Sequence, residues 1–357
     1  MSRLPRGLLG MLLIVAVVER WVSARYLDYT DPASLGWRTS VEAAGVEAVG
    51  ADVLCLGDSL AKHGLLPAVI SAQTGRSSYN LAAPAAPAAM TYLTLTRALD
   101  AGARPRAIVV DFAPDLLAGG PTYQERSWPE VLTAREAASL AIDARGSRLL
   151  AKVVLGRWLA TCRGRFELRA AILGHLAGRP PTLGIANRAM VENWQRDLGA
   201  NRVGPAPGFN GEVSEADHRR LMDHAFRAHR VNALYVDRLL RLADRRGIAV
   251  RWLIPPVSPT VQARRDASGA DAAYTDFVRR SICDHRHVAV VDARRMGLDA
   301  GSFVDPIHLG GAGAEALSAA VAERLGDSAT AWVLLGPTAR SSVARSSATR
   351  SDARKRR

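Results

Sequence analysis

Residues 51–59 read ADVLCLGDS, a short apolar run stopped abruptly by Gly57-Asp58-Ser59. A run of this length, closed by a Gly and two small polar residues, reads as a strand buried in a parallel sheet. A helix should follow, with Pro67 near its first turn and Gly75 at its end. In open α/β sheets ligands bind outside the carboxyl ends of the strands. Ser59 therefore falls on the edge where function is expected.

The alternation continues outward from this stretch. Ser77–Leu81 (SSYNL) predicts a second strand, Pro87–Ala101 a long helix ended by Gly102, and Ala107–Phe112 (AIVVDF) a third strand. The pattern then breaks into helices and loops, including helices at Arg135–Leu150 and Lys152–Leu176 and a Gly/Pro-rich loop at Gly204–Gly211. It resumes with a helix at Val231–Arg246, a strand at Ala249–Ile254 (AVRWLI), a helix at Ala272–Asp284, a strand at His287–Val291 (HVAVV) and a last helix from Ala312 to Leu325. Strand–helix alternation of this kind specifies an α/β fold. The expectation is a parallel five-stranded sheet within a domain at 48–326, interrupted by a helical insertion at about 116–230. Residues 25–47 read as a polar connector, and 327–357 as a disordered basic tail.

The 357 residues carry a formal net charge of +13. The tail alone holds seven basic and two acidic residues, and the remaining excess is spread without a basic stripe, so no nucleic-acid partner is expected. Only Lys62, Lys152 and Lys355 are lysines among 47 basic residues, which reads as a compositional bias toward Arg. Cys55, Cys162 and Cys283 give neither a disulfide framework nor metal-ligand spacing. At the N-terminus, Arg3 and Arg6 precede the apolar run Gly7–Val18. Residues 1–24 read as a signal peptide or membrane anchor, with Val22-Ser23-Ala24 as the candidate cleavage site. Glu19, Arg20 and Trp21, where a cleavage region is ordinarily neutral, favour the anchor. The rest of the chain is then expected outside the cytosol.

Ester chemistry needs a hydroxyl nucleophile, a base to take its proton and a group to orient the base. Gly57-Asp58-Ser59 supplies a serine on a strand-to-helix turn, whose bland alternative is a helix N-cap. Asp305-Pro306-Ile307-His308, just before the last helix, supplies a carboxylate and an imidazole three residues apart. Each motif alone is weak. Together they lie at strand ends, one opening the domain and the other closing it. Further candidates on that edge are Asn80 and Asp115.

A GDS block near the N-terminus with a DxxH block near the C-terminus resembles the SGNH/GDSL hydrolase superfamily over roughly 48–115 and 231–326. The resemblance implies a three-layer α/β/α flavodoxin-like fold, a Ser-His-Asp triad and no cofactor. Ser59 would be nucleophile and, through its N–H, an oxyanion donor; His308 would be the base and Asp305 its orienter. The family's second block aligns with Asn80–Ala85 and puts Ala85 at its oxyanion glycine. The third aligns with Phe112–Asp115 and puts Pro114 where an oxyanion asparagine is expected. Pro donates no hydrogen bond, so Asn80 is the candidate substitute and Asp115 is read as structural.

Three functions follow: an O-acyl ester hydrolase acting on a carbohydrate or lipid ester, an O-acyltransferase fed by a membrane acyl-donor protein and modifying an envelope polysaccharide, or a binding module that kept the fold. No metal site is expected from His218, His224 and His229. His63 reads as a partly exposed helix residue, and His285 and His287 as surface. Pro255-Pro256 reads equally as substrate wall or strand terminator, and Tyr123, Trp194 and Trp252 as core residues rather than sugar platforms.

Overall fold

The computed structural model of the protein describes residues 6–121, 124–203, 209–217, 226–326 and 332–336. The chain starts with α1 (Arg6–Ala24) and α2 (Pro32–Gly45), followed by β1 (Val53–Leu56), α3 (Ser59–Gly64), α4 (Pro67–Thr74), β2 (Ser78–Asn80), α5 (Ala88–Asp100), β3 (Ala107–Asp111) and α6 (Pro114–Ala118). Six helices follow: α7 (Trp128–Val131), α8 (Ala134–Ala144), α9 (Ser147–Trp158), α10 (Ala160–Arg163), α11 (Arg165–Leu176) and α12 (Leu183–Arg196). Alternation resumes with α13 (Arg230–Arg246), β4 (Ala249–Ile254), α14 (Pro259–Ala267), α15 (Ala270–Ile282), β5 (Val288–Asp292), α16 (Gly311–Arg324) and β6 (Trp332–Leu334). Arg3, Tyr123, His218 and His224 lie outside the described residues, as does most of the tail.

Two compact units divide the chain. One comprises residues 40–120 and 193–357, the other residues 1–39 and 121–192. The first is built on a parallel sheet of six described strands in the order β2-β1-β3-β4-β5-β6. Side chains alternate across the strands. Cys55, Val109, Leu253 and Val291 pack on one face with Ile70 of α4 and Leu317 of α16. Trp252, one residue out of phase with Leu253, meets α15 on the other face, where its Nε1–H donates to Tyr274 Oη at 3.2 Å. Burial on both faces explains why β1 is continuously apolar and why β3 and β5 are apolar up to their terminal Asp111 and Asp292.

The strand count is six, not five. β6 lies in the segment expected to be disordered, where Trp332, Val333, Leu334 and Leu335 form the one run of large apolar residues. It extends β5 at the sheet edge, Leu335 N–H donates to Asp292 O at 2.9 Å, and the Leu335 side chain is buried in the core of the first face. The region read as a connector at 25–47 instead contains α2. Its pattern of Ala, Ser and Gly around one aromatic hides the amphipathic face that buries Trp37.

In the other unit, Trp37 meets Trp128 edge to face with centroids 4.6 Å apart. A capping box between Thr133 and Glu136 starts α8. The helix expected at 135–150 is two helices, because Arg145 adopts φ 53° ahead of Gly146. The span expected as one helix at 152–176 is likewise divided among α9, α10 and α11. The first helix is longer than its apolar run: it continues through Glu19, Arg20 and Trp21. The stretch Gly7–Ala24 is long and apolar enough to cross a membrane by length and composition. Its last turns are packed. Val22 clusters with Tyr29 and Ala160, and Thr161 N–H donates to Glu19 at 3.1 Å.

Ending the chain at Gly326 removes β6 and the buried Leu335. Burial of one leucine contributes about 1.5–3 kcal/mol, so the midpoint of thermal unfolding in detergent should fall by about 4–8 °C. An unchanged midpoint would show that β6 contributes nothing to the sheet.

Candidate active site

Ser59 is the first residue of α3, held at the end of β1 by a turn that depends on two buried carboxyl groups. Asp58 caps the helix. Its Oδ1 accepts from Leu60 N–H at 2.8 Å, and its Oδ2 accepts from Ala113 N–H at 2.9 Å, tying the turn after β1 to the turn after β3. Asp111, the last residue of β3, accepts from Asp58 N–H at 3.0 Å. Gly57 makes this approach possible. Its φ is +127°, and a Cβ there would stand 1.6 Å from Asp111 Oδ1. Burial pushes both acids up: Asp58 to about 6, opposed by the Leu60 N–H and reinforced by Asp115, and Asp111 well above the usual carboxylate range, with the neighbouring Asp58 charge as its second cause.

The DxxH segment is the tip of a small hairpin. Phe303 and Leu309 form an antiparallel bridge, Val304 N–H donates to His308 O at 2.9 Å, and Gly310 N–H donates to Ser302 O at 2.9 Å. Ser258 N–H, beyond Pro255-Pro256, holds the tip by donating to Pro306 O at 3.0 Å. Within it Asp305 Oδ1 accepts from the N–H groups of Ile307 (2.9 Å) and His308 (2.8 Å). Asp305 Oδ2 lies 2.6 Å from His308 Nδ1, and His308 Nε2 lies 2.8 Å from Ser59 Oγ. Burial would raise Asp305, but the hydrogen bond and charge of His308 and the two N–H donors hold it down to about 2. Asp305 stays ionised wherever a serine base works, so it accepts from Nδ1–H and leaves Nε2 facing the hydroxyl.

The two further oxyanion candidates differ in their surroundings. Ala85 has φ 52°, the conformation a glycine would adopt, and packs beside Leu60, Ala113 and Ile307. The N–H groups of Ser59 and Ala85 have no hydrogen-bond partner among the described residues. Asn80 is corrected. Its Nδ2 donates to Ala61 O (2.9 Å) and Leu65 O (2.8 Å), and its Oδ1 accepts from Ala82 N–H (2.9 Å). A buried amide with all three bonds made closes the end of α3 and offers no donor to a ligand. Pro114 is the first residue of α6, so nothing at that position donates.

His63 is not an outward-facing helix residue. Its ring lies 4.7 Å from that of His308, and its Nε2 accepts from Asn201 Nδ2 at 2.9 Å. Burial, then the charge of His308, pushes it down to about 3, so it is a neutral neighbour of the triad. Lys62, singled out only as a rare lysine, is buried over the Trp194 ring at 4.6 Å and pushed down to about 7 by burial. His285, expected at the surface, is buried and bonded to Asp244. His229 caps α13 through Nδ1. Trp194 and Trp252 are core residues. Sequence reasoning missed Asp111, whose signal is the one charge in the AIVVDF run. In comparisons with known proteins, no family model and no curated protein matches this chain.

Gly57→Ala should cost about 3 kcal/mol or more, since it forces a backbone shift in a left-handed turn and displaces a buried carboxyl; a soluble variant with wild-type melting would refute the close approach. Asp58 and Asp111 titrate higher folded than unfolded (about 4). From pH about 4 up to the folded value the native state therefore binds more protons, and stability falls as pH rises. Asp111→Asn removes one of the two raised groups, so its stability should decline less than wild type between pH 4 and 6 and above. Parallel stability–pH curves would rule out the raised carboxyl.

Proposed function

We propose that the protein is a serine-dependent O-acyl ester hydrolase of the SGNH/GDSL type, acting on a carbohydrate or lipid ester outside the cytosol. The observation that carries this reading is the continuous relay from Ser59 Oγ through His308 to Asp305. The sheet order supports it: β2-β1-β3-β4-β5 is the flavodoxin-like arrangement, with Ser59 after β1 at the switch point where the strand order reverses.

His308 Nε2 takes the Ser59 proton as Oγ attacks the ester carbonyl, while Asp305 fixes the tautomer and stabilises the imidazolium. The N–H groups of Ser59 and Ala85 receive the oxyanion. The imidazolium then protonates the departing alcohol, and a second nucleophile, activated by the same base, releases the acyl group from Ser59. With Pro114 at the third position, the hole has one donor fewer than the family pattern, a loss of about 10²–10³ in rate where no other group substitutes.

An acyltransferase, in which a polysaccharide hydroxyl is the second nucleophile, is the alternative. It is favoured by the packing of Glu19 and Val22 against their own unit, which suits an α1 retained beside a membrane acyl donor.

Ser59→Ala and His308→Ala should each lower kcat/KM on an aryl acetate by about 10⁴ or more, because triad members act as a unit. Asp305→Ala should be milder, since the base remains. Wild type should react with a fluorophosphonate probe and Ser59→Ala should not. Retained turnover in a folded Ser59→Ala protein would sink the assignment, and acyl-donor consumption that requires an acceptor would select the transferase.

A further inference from the structure

Beyond α1, the unit formed by residues 1–39 and 121–192 carries two helical faces that its own packing leaves uncovered. On α9, Val154, Leu155 and Trp158 share one face by their i, i+1, i+4 spacing and are exposed, Trp158 by 79%. On α11, Phe166 and Leu173 lie seven residues apart on one stripe, with Leu176 a turn further on and 78% exposed. No residue of α11 is buried. Large exposed apolar patches on soluble proteins mark interaction sites.

Their position identifies the partner. The four-residue α10 links the two helices, and α10 is packed on the last turns of α1. Ala160 clusters with Val22, Leu168 of α11 packs against that cluster, and Thr161 N–H donates to Glu19 at 3.1 Å. Where α1 leaves a bilayer, the end of α9 and the start of α11 are therefore at the bilayer surface. Their chemistry suits that level. Residues 147–176 hold six basic residues and one acid, Glu167; Glu167 is engaged by Arg126, and Lys152 and Arg163 pair with Glu125 and Glu130. Arg157, Arg165 and Arg169 intersperse the apolar positions. Arginine-rich helices carrying Trp, Phe and Leu on a second face lie in the headgroup region of anionic membranes, and tryptophan favours that interface.

We propose that α9 and α11 form a second, monotopic membrane contact, with Trp158, Phe166 and Leu173 inserted shallowly into an anionic lipid surface beside α1. The proposal rests on the reading of α1 as a membrane anchor. It makes the helical insertion a device that lies down on the lipid, not only a spacer.

The test places an environment-sensitive fluorophore on one engineered cysteine at a time in the full chain with Cys162→Ser and Cys283→Ser. The sites are Leu173→Cys and, in α1, Ile14→Cys. Each protein is reconstituted into nanodiscs of phosphatidylglycerol and phosphatidylethanolamine containing lipids spin-labelled near the headgroup or deep in the chains. The expected result is loss of most Leu173 emission to the shallow label and of Ile14 emission to the deep label. The Leu173 signal should weaken when phosphatidylcholine replaces the anionic lipid. Ile14 in lipid with Leu173 in water overturns this proposal and leaves the anchor standing. Both probes in water overturn both. Ile14 in water with Leu173 in lipid also overturns the proposal, since the contact would then not lie beside an anchored α1. A Leu173 probe shielded only in native membranes, and not in pure lipid, overturns lipid as the occupant in favour of a membrane protein.

Discussion

The carboxylate of Asp58 spans two turns that belong to different strands. One oxygen satisfies the N–H of Leu60 at the start of α3, the other the N–H of Ala113 after β3, and Asp111 reaches back to the N–H of Asp58 itself. Three backbone donors that would otherwise be orphaned in the interior are thereby paired. The cost is the burial of two acids side by side, visible in their raised titration. What the arrangement secures is the direction of one serine hydroxyl. Gly57 admits the acid, the acid holds the turn, and the turn aims Ser59 at an imidazole that arrives from 249 residues away. Remove the glycine or the carboxyls and the relay loses its fixed end.

The other end of the relay is rigid for a different reason. Asp305 and His308 sit on a hairpin tip whose base is bridged and whose backbone donors are consumed by Asp305 itself. Charge on this side is arranged without competition. His63, in ring contact with His308, is kept neutral by burial and offers an acceptor only to Asn201. A second imidazolium there would oppose protonation of His308. The site thus separates its duties: acids below the serine set geometry, and the acid beside the histidine sets charge.

Ser59, Asp305 and His308 were legible because Ser59 stands where a continuous apolar run meets a turn and the Asp305–His308 spacing is local, both of which sequence records directly. Asn80 was misread. It has the composition of a donor at the active edge, but its amide is drawn inward by Ala61 O, which also accepts from Leu65 N–H, and by Leu65 O. No local pattern encodes that. His63 was hidden similarly, since its neighbours His308 and Asn201 come from distant parts of the chain. β6 escaped because a three-residue edge strand needs only one pairing partner and carries no period of its own. α2 escaped because alanine and serine can line a buried face without raising the hydrophobic signal.

The discontinuous make-up of the helical unit bears on how the protein comes into being. Glu19 and Thr161, joined across 142 residues, are the two ends of an assembly whose first part emerges from the ribosome long before its second. In the interval β1, β2 and β3 are synthesised and must wait or fold while α1 is already committed to its surroundings. Contacts of such sequence separation form slowly. A chain that began after residue 24 would also be a different folding problem: Ala160 would lack Val22, and Thr161 would lack its acceptor. The first helix is therefore a folding template for residues 160–171.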